Sequence, residues 1–284
     1  MAYTLHCGDC LDILPTIADA SVDCVISDPP YPMIKRDYGM MTEAAWFEMM
    51  QEVVRQSRRI LKPTGSAVFI LQPNSEKVGK MRLWLWEFML WAGKEWGIVQ
   101  DAYWWNTTTM PQGGVFMGLL RASIKPCVWL GNDKCYRNQD SVLWEESFRN
   151  AQIRAQSRIN NDDKLRYYPS GTHLRVSRTV ESAAERGGVT PFNLLPIPNA
   201  NSTDSAGSHG HGAGTPLKLA DWWTRYICPT GGTVCDMFAG TGTMGLAALQ
   251  NGCNFVGIEK MPQYAEIARQ RLEQATQQLP LVTA

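Results

Sequence analysis

The chain carries no excess of either charge: 27 Lys and Arg face 27 Asp and Glu, for a formal net charge of zero. A protein that coats nucleic acid with a uniformly basic surface is thereby excluded, whereas a local basic segment is not. Histidine is scarce, with four in 284 residues. The C-x-x-C spacing of Cys7-Gly8-Asp9-Cys10 lacks a second ligand pair, because neither Cys127 with Cys135 nor His209 with His211 has metal-site spacing. No metal is therefore expected. The eight Cys are scattered through segments that read as strands and loops, which suits buried free thiols better than a disulfide framework. Long hydrophobic runs are lacking as well. The most apolar stretch, Met81 to Gly97, is interrupted by Arg82, Glu87, Lys94 and Glu95, so it reads as a core or subunit-contact helix and no membrane partner is expected. No basic region followed by an apolar stretch and a cleavage site opens the chain, which leaves the cytoplasm as the expected location. No internal repeat is found.

What is present begins with a 44% hydrophobic content, enough in a chain of 284 residues to bury one full α/β core with a smaller inserted region. The apolar run Val22-Asp23-Cys24-Val25-Ile26-Ser27 reads as a buried strand ending in Asp28-Pro29-Pro30-Tyr31. The two prolines lack N–H groups and are expected to leave their carbonyl oxygens unpaired beside a carboxylate and an aromatic face. Such a turn accepts hydrogen bonds and stacks planar rings, which complements the two donors and π-face of an amino-bearing nucleobase. The plainer alternative is a rigid turn with Tyr31 covering a strand end.

Near the other end, Thr233-Val234-Cys235-Asp236-Met237-Phe238 reads as a strand, Ala239-Gly240-Thr241-Gly242-Thr243 as a glycine turn and Met244 to Leu249 as a helix. Gly240 and Gly242 allow the backbone to approach a ligand, and the helix start offers free N–H groups. A further short strand, Asn254 to Glu259, ends in an acid placed to accept hydrogen bonds from ribose hydroxyls. With Gly245 the loop also satisfies G-x-G-x-x-G, so taken alone it leaves a nicotinamide enzyme open.

Together the two segments resemble the S-adenosylmethionine-dependent amino-group DNA methyltransferases, in which a D/N/S-P-P-Y/F/W turn holds the target base and an F-x-G-x-G loop holds the cofactor. The catalytic turn precedes the cofactor loop, as in the permuted class called beta. Leu5-His6-Cys7-Gly8-Asp9-Cys10 is similar to the family's opening Gly-Asp element, and His211 to Pro216 is similar to its H-P-T-Q-K-P segment. The chain departs from the pattern at Thr215, where Lys is usual, and at Met237, where Pro is usual. The resemblance implies catalytic roles for Asp28, Pro29, Pro30 and Tyr31. It implies cofactor contacts at Asp9, Cys10, Asp28, Asp236, Phe238, Ala239, Gly240, Thr241, Gly242, Thr243 and Glu259. The expected fold is α/β: a doubly wound, mostly parallel Rossmann-like methyltransferase sheet, circularly permuted, with an inserted target-recognition region. The expected cofactor is S-adenosyl-L-methionine, the partner double-stranded DNA, and the assembly, by analogy, a homodimer. An Asp-led turn more often accompanies N6 of adenine and a Ser-led one N4 of cytosine, so adenine-N6 methylation is expected, with cytosine-N4 as the alternative and a non-catalytic DNA-binding relative as the remote one. A dehydrogenase is disfavoured because no second nucleotide-binding half follows the glycine loop.

The expected organisation is a catalytic half at 1–110, later strands and the target-recognition region at 111–205, and a cofactor half at 206–284. Thr42 to Leu61 reads as an amphipathic helix stopped by Lys62-Pro63-Thr64-Gly65, followed by a strand at Ser66 to Leu71. Trp104-Trp105 and Cys127 to Leu130 read as later strands. Between Arg149 and Arg178 lie Arg154, Arg158, Lys164, Arg166 and Arg175 against Asp162 and Asp163, with Tyr167 and Tyr168 nearby. This basic segment is the candidate for reading bases, and Asn199 to Gly214 the candidate linker.

Overall fold

The computed structural model describes residues 1–37, 39–108, 119–120, 122–145, 185–199 and 214–278, with the backbone alone at 165–167 and 173–175. In chain order the elements are β1 (Tyr3–Cys7), α1 (Cys10–Ile13), β2 (Val22–Ser27), α2 (Glu43–Ile60), β3 (Leu61–Ile70), β4 (Ser75–Lys77), β5 (Lys80–Met81), α3 (Trp84–Glu95), β6 (Ile98–Gln100) and β7 (Tyr103–Asn106). There follow β8 (Ile124–Leu130), β9 (Leu165–Tyr167), β10 (His173–Arg175), β11 (Leu194–Ile197), α4 (Leu217–Ile227), β12 (Thr233–Asp236), α5 (Thr243–Gln250), β13 (Asn254–Glu259) and α6 (Pro262–Gln278).

Residues 1–137 and 193–284 form one compact unit and 138–192 a second. The first is built on a nine-stranded sheet in the order β1-β13-β12-β2-β3-β8-β7-β11, with β6 also paired to β8. β1, β13, β12, β2 and β3 run parallel, and β8 runs antiparallel to both β3 and β7. Side chains alternate along the strands, so each face has its own cover. Val25, Ala67, Phe69, Val128, Leu130 and Cys235 share a core with Trp46, Met50 and Val53 of α2 and Trp84, Leu85 and Phe88 of α3. The intervening residues turn the other way, and there the Trp129 ring meets Trp223 of α4 at 5.7 Å. Both faces of a largely parallel sheet are covered, which is the doubly wound arrangement.

The apolar stretch at 81–97 thus supplies α3, whose Trp84 packs on Trp46 at 4.5 Å and whose Leu85, Phe88 and Ala92 are buried. Helix α2 begins one residue after Thr42, whose Oγ1 accepts from Ala45 N at 3.2 Å. Its end differs from expectation. The helix runs directly into β3 at Leu61, and Lys62-Pro63-Thr64-Gly65 lies inside the strand instead of preceding it. Val22 pairs with Leu61 and Cys24 with Ser66, so these four residues bulge opposite Asp23. Asp23 holds the irregularity by accepting from Lys62 Nζ and Thr233 N, each at 2.8 Å. A side chain at Gly65 would meet the Asp23 carbonyl at 2.9 Å, so the bulge closes around a glycine.

In the second unit Trp144 and Val189 form an isolated antiparallel bridge, and Arg186 reaches both Asp140 and Gln139 at 2.7 Å. Backbone strands β9 and β10 pair antiparallel where no element was expected. The side chains of the basic segment between Arg149 and Arg178 lie outside the described residues, as does most of the Asn199 to Gly214 segment. Among the described residues, no helix is long and apolar enough to cross a membrane, and no group of three or more His, Cys, Asp or Glu is placed to hold a metal ion.

Candidate active site

Strand β2 is buried at all six positions, which leaves its chain end to deliver Asp28 at the carboxyl edge of the sheet. Neighbours on α2 and beyond β3 then hold the turn. Trp46 Nε1 donates to the Pro30 carbonyl at 2.6 Å, Asn74 Nδ2 donates to the Pro32 carbonyl at 2.7 Å, and Trp84 Nε1 donates to Asn74 Oδ1 at 3.0 Å. The expectation of unpaired proline carbonyls needs correcting at Pro30, whose oxygen is taken by a buried indole. For Pro29, no donor to the carbonyl is found among the described residues.

The carboxylate of Asp28 has two side-chain donors. The Tyr31 hydroxyl donates to Oδ1, and the Thr215 hydroxyl donates to Oδ2 at 2.8 Å. Thr215 is buried just before α4, so a residue 187 positions away orients the acid of the turn.

Strand β12 lies beside β2, pairing Val234 with Cys24 and Cys235 with Val25. Ser27 Oγ donates to Asp236 Oδ1 at 2.8 Å and accepts from Met237 N at 3.0 Å, which ties the two strand ends together. Asp236 Oδ1 also accepts from Phe238 N at 3.0 Å. Burial pushes the Asp236 carboxyl up to about 7, with the negative charges of Asp28 and Glu259 adding to it and the two hydrogen bonds opposing it. The glycine turn follows, with φ of 52° at Gly240 and 83° at Gly242, a region closed to most side chains. Glu259, at the end of β13, accepts from Gly240 N through Oε2 and from Met261 N through Oε1, each at 2.7 Å. Across β1, Asp9 caps α1 by accepting from Leu11 N at 3.0 Å and pairs with Lys260 Nζ at 2.8 Å, which with the N–H bond holds its carboxyl below the usual range despite partial burial.

These corners open onto one cavity of about 480 Å³. Its walls include Asp9, Cys10, Asp28, Pro29, Pro30, Tyr31, Asp236, Phe238, Ala239, Gly240, Thr241, Thr243 and Glu259. Of the catalytic and cofactor residues that the resemblance implies, Gly242 alone does not line it. A Cβ at Gly242 would stand 3.1 Å from that of Ala268, so this glycine lets α6 approach the turn. Gly245, which completes the G-x-G-x-x-G pattern, likewise serves packing, since a Cβ there would lie 2.7 Å from Leu272 and from the Phe255 ring. The cavity also has walls that the sequence did not announce. Ile34, Arg36, Asp37 and Met41 come from the stretch after the turn, and Tyr264 donates to Asp37 Oδ2 at 2.6 Å. Lys260 was foreshadowed only by following a strand-ending acid, and nothing local marks the Asp37–Tyr264 or Trp46–Pro30 contacts.

A parallel, doubly wound sheet with its cavity at the carboxyl ends of adjacent strands is the architecture of Rossmann-like nucleotide-cofactor enzymes, here with the acidic turn ahead of the glycine turn. The family described as DNA methylase, comprising N6 and N4 methyltransferases, matches residues 22–270. Type II methyltransferase M.PvuII of Proteus hauseri is 25% identical over 287 residues, covering 93% of this chain and 83% of that protein. Type II methyltransferase M.HinfI of Haemophilus influenzae is 22% identical, with 95% and 68% covered. Among solved structures, the cytosine-N4-specific PvuII DNA methyltransferase superposes with a TM-score of 0.69 at 19% identity, covering 98% of this chain and 91% of that one. TTHA0409 of Thermus thermophilus, solved in complex with S-adenosyl-L-methionine, gives 0.62 at 20% identity and 98% of each chain. This chain belongs to the N6/N4 DNA methylase family, the S-adenosylmethionine-dependent amino-group DNA methyltransferases, with the permuted motif order.

The cavity suits that cofactor. Its volume lies in the range of small-molecule sites, its carboxylates at Asp236 and Glu259 match a cationic methionine end and ribose hydroxyls, and Gly240 leaves the backbone accessible.

Proposed function

We propose that the protein methylates the N6 amino group of adenine within a specific sequence of double-stranded DNA. The observation that carries this reading is the Asp28 carboxylate, held by Tyr31 and Thr215 at the wall of the same cavity as the glycine turn. The cofactor, when bound, supplies an electrophilic methyl group on a sulfonium. Asp236, Glu259, Asp9, Cys10 and, from the turn, Phe238, Ala239, Gly240, Thr241 and Thr243 hold it, while Gly242 shapes the turn. The target base leaves the helix at a cost of roughly a few kcal/mol and stacks on Tyr31, which offsets part of that cost. Asp28 and the Pro29 carbonyl accept the two amino protons and aim the nitrogen lone pair at the incoming carbon. Asp28 also stabilises the positive charge that develops on nitrogen and lies ready for the proton released after transfer. A covalent enzyme intermediate has no part in this scheme; Cys127, which feels the Asp28 charge, is buried and its thiol is pushed up to about 12 mainly by that burial, which leaves it protonated.

Residues 1–110 and 206–284 act as the catalytic and cofactor halves, and 111–205 carries the later strands and the target-recognition region. Sedimentation tests the homodimer that the resemblance implies. A second reading, cytosine-N4 methylation, is favoured by the likeness to the cytosine-N4-specific PvuII enzyme. The Asp-led turn, which in this family more often accompanies N6 of adenine, supports the first reading. Incubation with labelled S-adenosylmethionine and unmodified DNA, then mass analysis of released nucleosides, tests both readings: N6-methyladenine supports the first, N4-methylcytosine replaces it by the second, and no labelled nucleoside refutes both.

A further inference from the structure

Strand β8 is antiparallel to β3, so its first residues reach the carboxyl edge of the sheet, beside the acidic turn. Cys127 pairs with Ile70, Leu71 N donates to the Pro126 carbonyl at 2.9 Å, and the Tyr31 hydroxyl lies 3.5 Å from the Ile70 carbonyl. One step further out is Lys125, which pairs with Trp104 across β7. Its ammonium stands 4.8 Å from the Trp104 ring centre and 5.6 Å from that of Tyr31. Among the described residues no carboxylate partner is found for Lys125, and its cation contacts there are these two rings. Lys125 is also absent from the walls of the cofactor cavity, although the Tyr31 ring it faces lines that cavity.

Lys125 is partly buried, and with aromatic faces as the partners of its ammonium among the described residues it is weakly held, since such contacts contribute about 0.5–2 kcal/mol. A phosphodiester offers it a stronger, charge-assisted partner. The chain has no net positive charge, so its attraction to DNA falls to locally placed cations. We propose that Lys125 binds the phosphodiester of the target nucleotide, moving off the Tyr31 face as the base takes its place there. This inference rests on the DNA-methylating reading and adds a substrate contact that the turn itself does not contain. Because the rings hold the cation until the base arrives, recognition of the phosphate is coupled to rotation of the base.

The test compares wild type with Lys125→Met and Lys125→Arg on a duplex carrying the mapped methylation site. Lys125→Met should raise KM for DNA by about tenfold, the size of one charge-assisted hydrogen bond. It should also make the slope of log kcat/KM against log salt shallower by about one, with S-adenosylmethionine affinity unchanged by calorimetry. Lys125→Arg should keep the slope. A neutral methylphosphonate at the target nucleotide should cost wild type the same factor and Lys125→Met nothing more. A wild-type slope in Lys125→Met, or a full methylphosphonate penalty on top of that variant's own, overturns the proposal alone. Wild type that methylates no DNA overturns it together with the reading beneath it.

Discussion

Replacing Asp236 by Asn should stabilise the protein above neutral pH while weakening its hold on the cofactor. Oδ1 of Asp236 accepts from Ser27 Oγ and Phe238 N, and an Asn carbonyl can accept both. The substitution therefore removes a charge and keeps the bonds. Burial holds the folded-state carboxyl up at about 7, compared with about 3.9 in an unfolded chain. Between those values the folded protein keeps a proton that the unfolded chain has released, so the unfolded state binds fewer protons and stability falls as pH rises. The contribution of this group is fully present below about pH 4 and is lost as pH climbs through about 7. Three pKa units at 1.36 kcal/mol each give on the order of 4 kcal/mol as an upper figure. At pH 8 Asp236→Asn should thus melt several degrees above wild type, at roughly 2 °C per kcal/mol in a protein of this size. At about pH 4 and below the two should nearly coincide. Calorimetric cofactor binding should move the other way: wild type should bind S-adenosylmethionine more tightly as pH rises from 6 to 8, and the variant weakly and without that trend. Equal Tm-against-pH slopes in the two proteins would refute the argument.

Asp28→Ala should abolish methyl transfer while calorimetry still detects cofactor binding, because Asp236, Glu259 and the glycine turn remain; retained turnover would end the proposed chemistry. Thr215→Val removes the 2.8 Å donor to Asp28 Oδ2 and should lower kcat by about tenfold with little change in KM, and Thr215→Ser should restore it. Gly245→Ala places a Cβ 2.7 Å from Leu272 and Phe255, and thermal melting should show a loss of about 1–3 kcal/mol, whichever cofactor is present.

The acidic turn and the glycine turn were legible as local events: apolar runs that end at residues with restricted or unusually free backbones declare a strand end without help from the rest of the chain. Motif order likewise needed nothing beyond the sequence. Other features depend on which elements become neighbours, and no local pattern encodes that. The Thr215 hydroxyl acquires its meaning only when the segment before α4 folds against Asp28, 187 positions away. Trp46 looks like any apolar residue of an amphipathic helix until its indole N–H meets the Pro30 carbonyl. The four-residue bulge at Lys62-Pro63-Thr64-Gly65 looks like a helix stop because Pro and Gly mark a break without saying whether a strand continues through it. Gly242 and Gly245 belong to a ligand loop by pattern, yet packing against α6 and β13 determines what each does. The sequence by itself thus determined the chemical parts and the order in which they occur, since residue type and backbone freedom act over a few positions. Which oxygen of Asp28 meets which donor, where Lys125 stands and how far Asp236 is shifted were decided by tertiary structure alone, because burial and distance arise only when separate strands share one sheet edge.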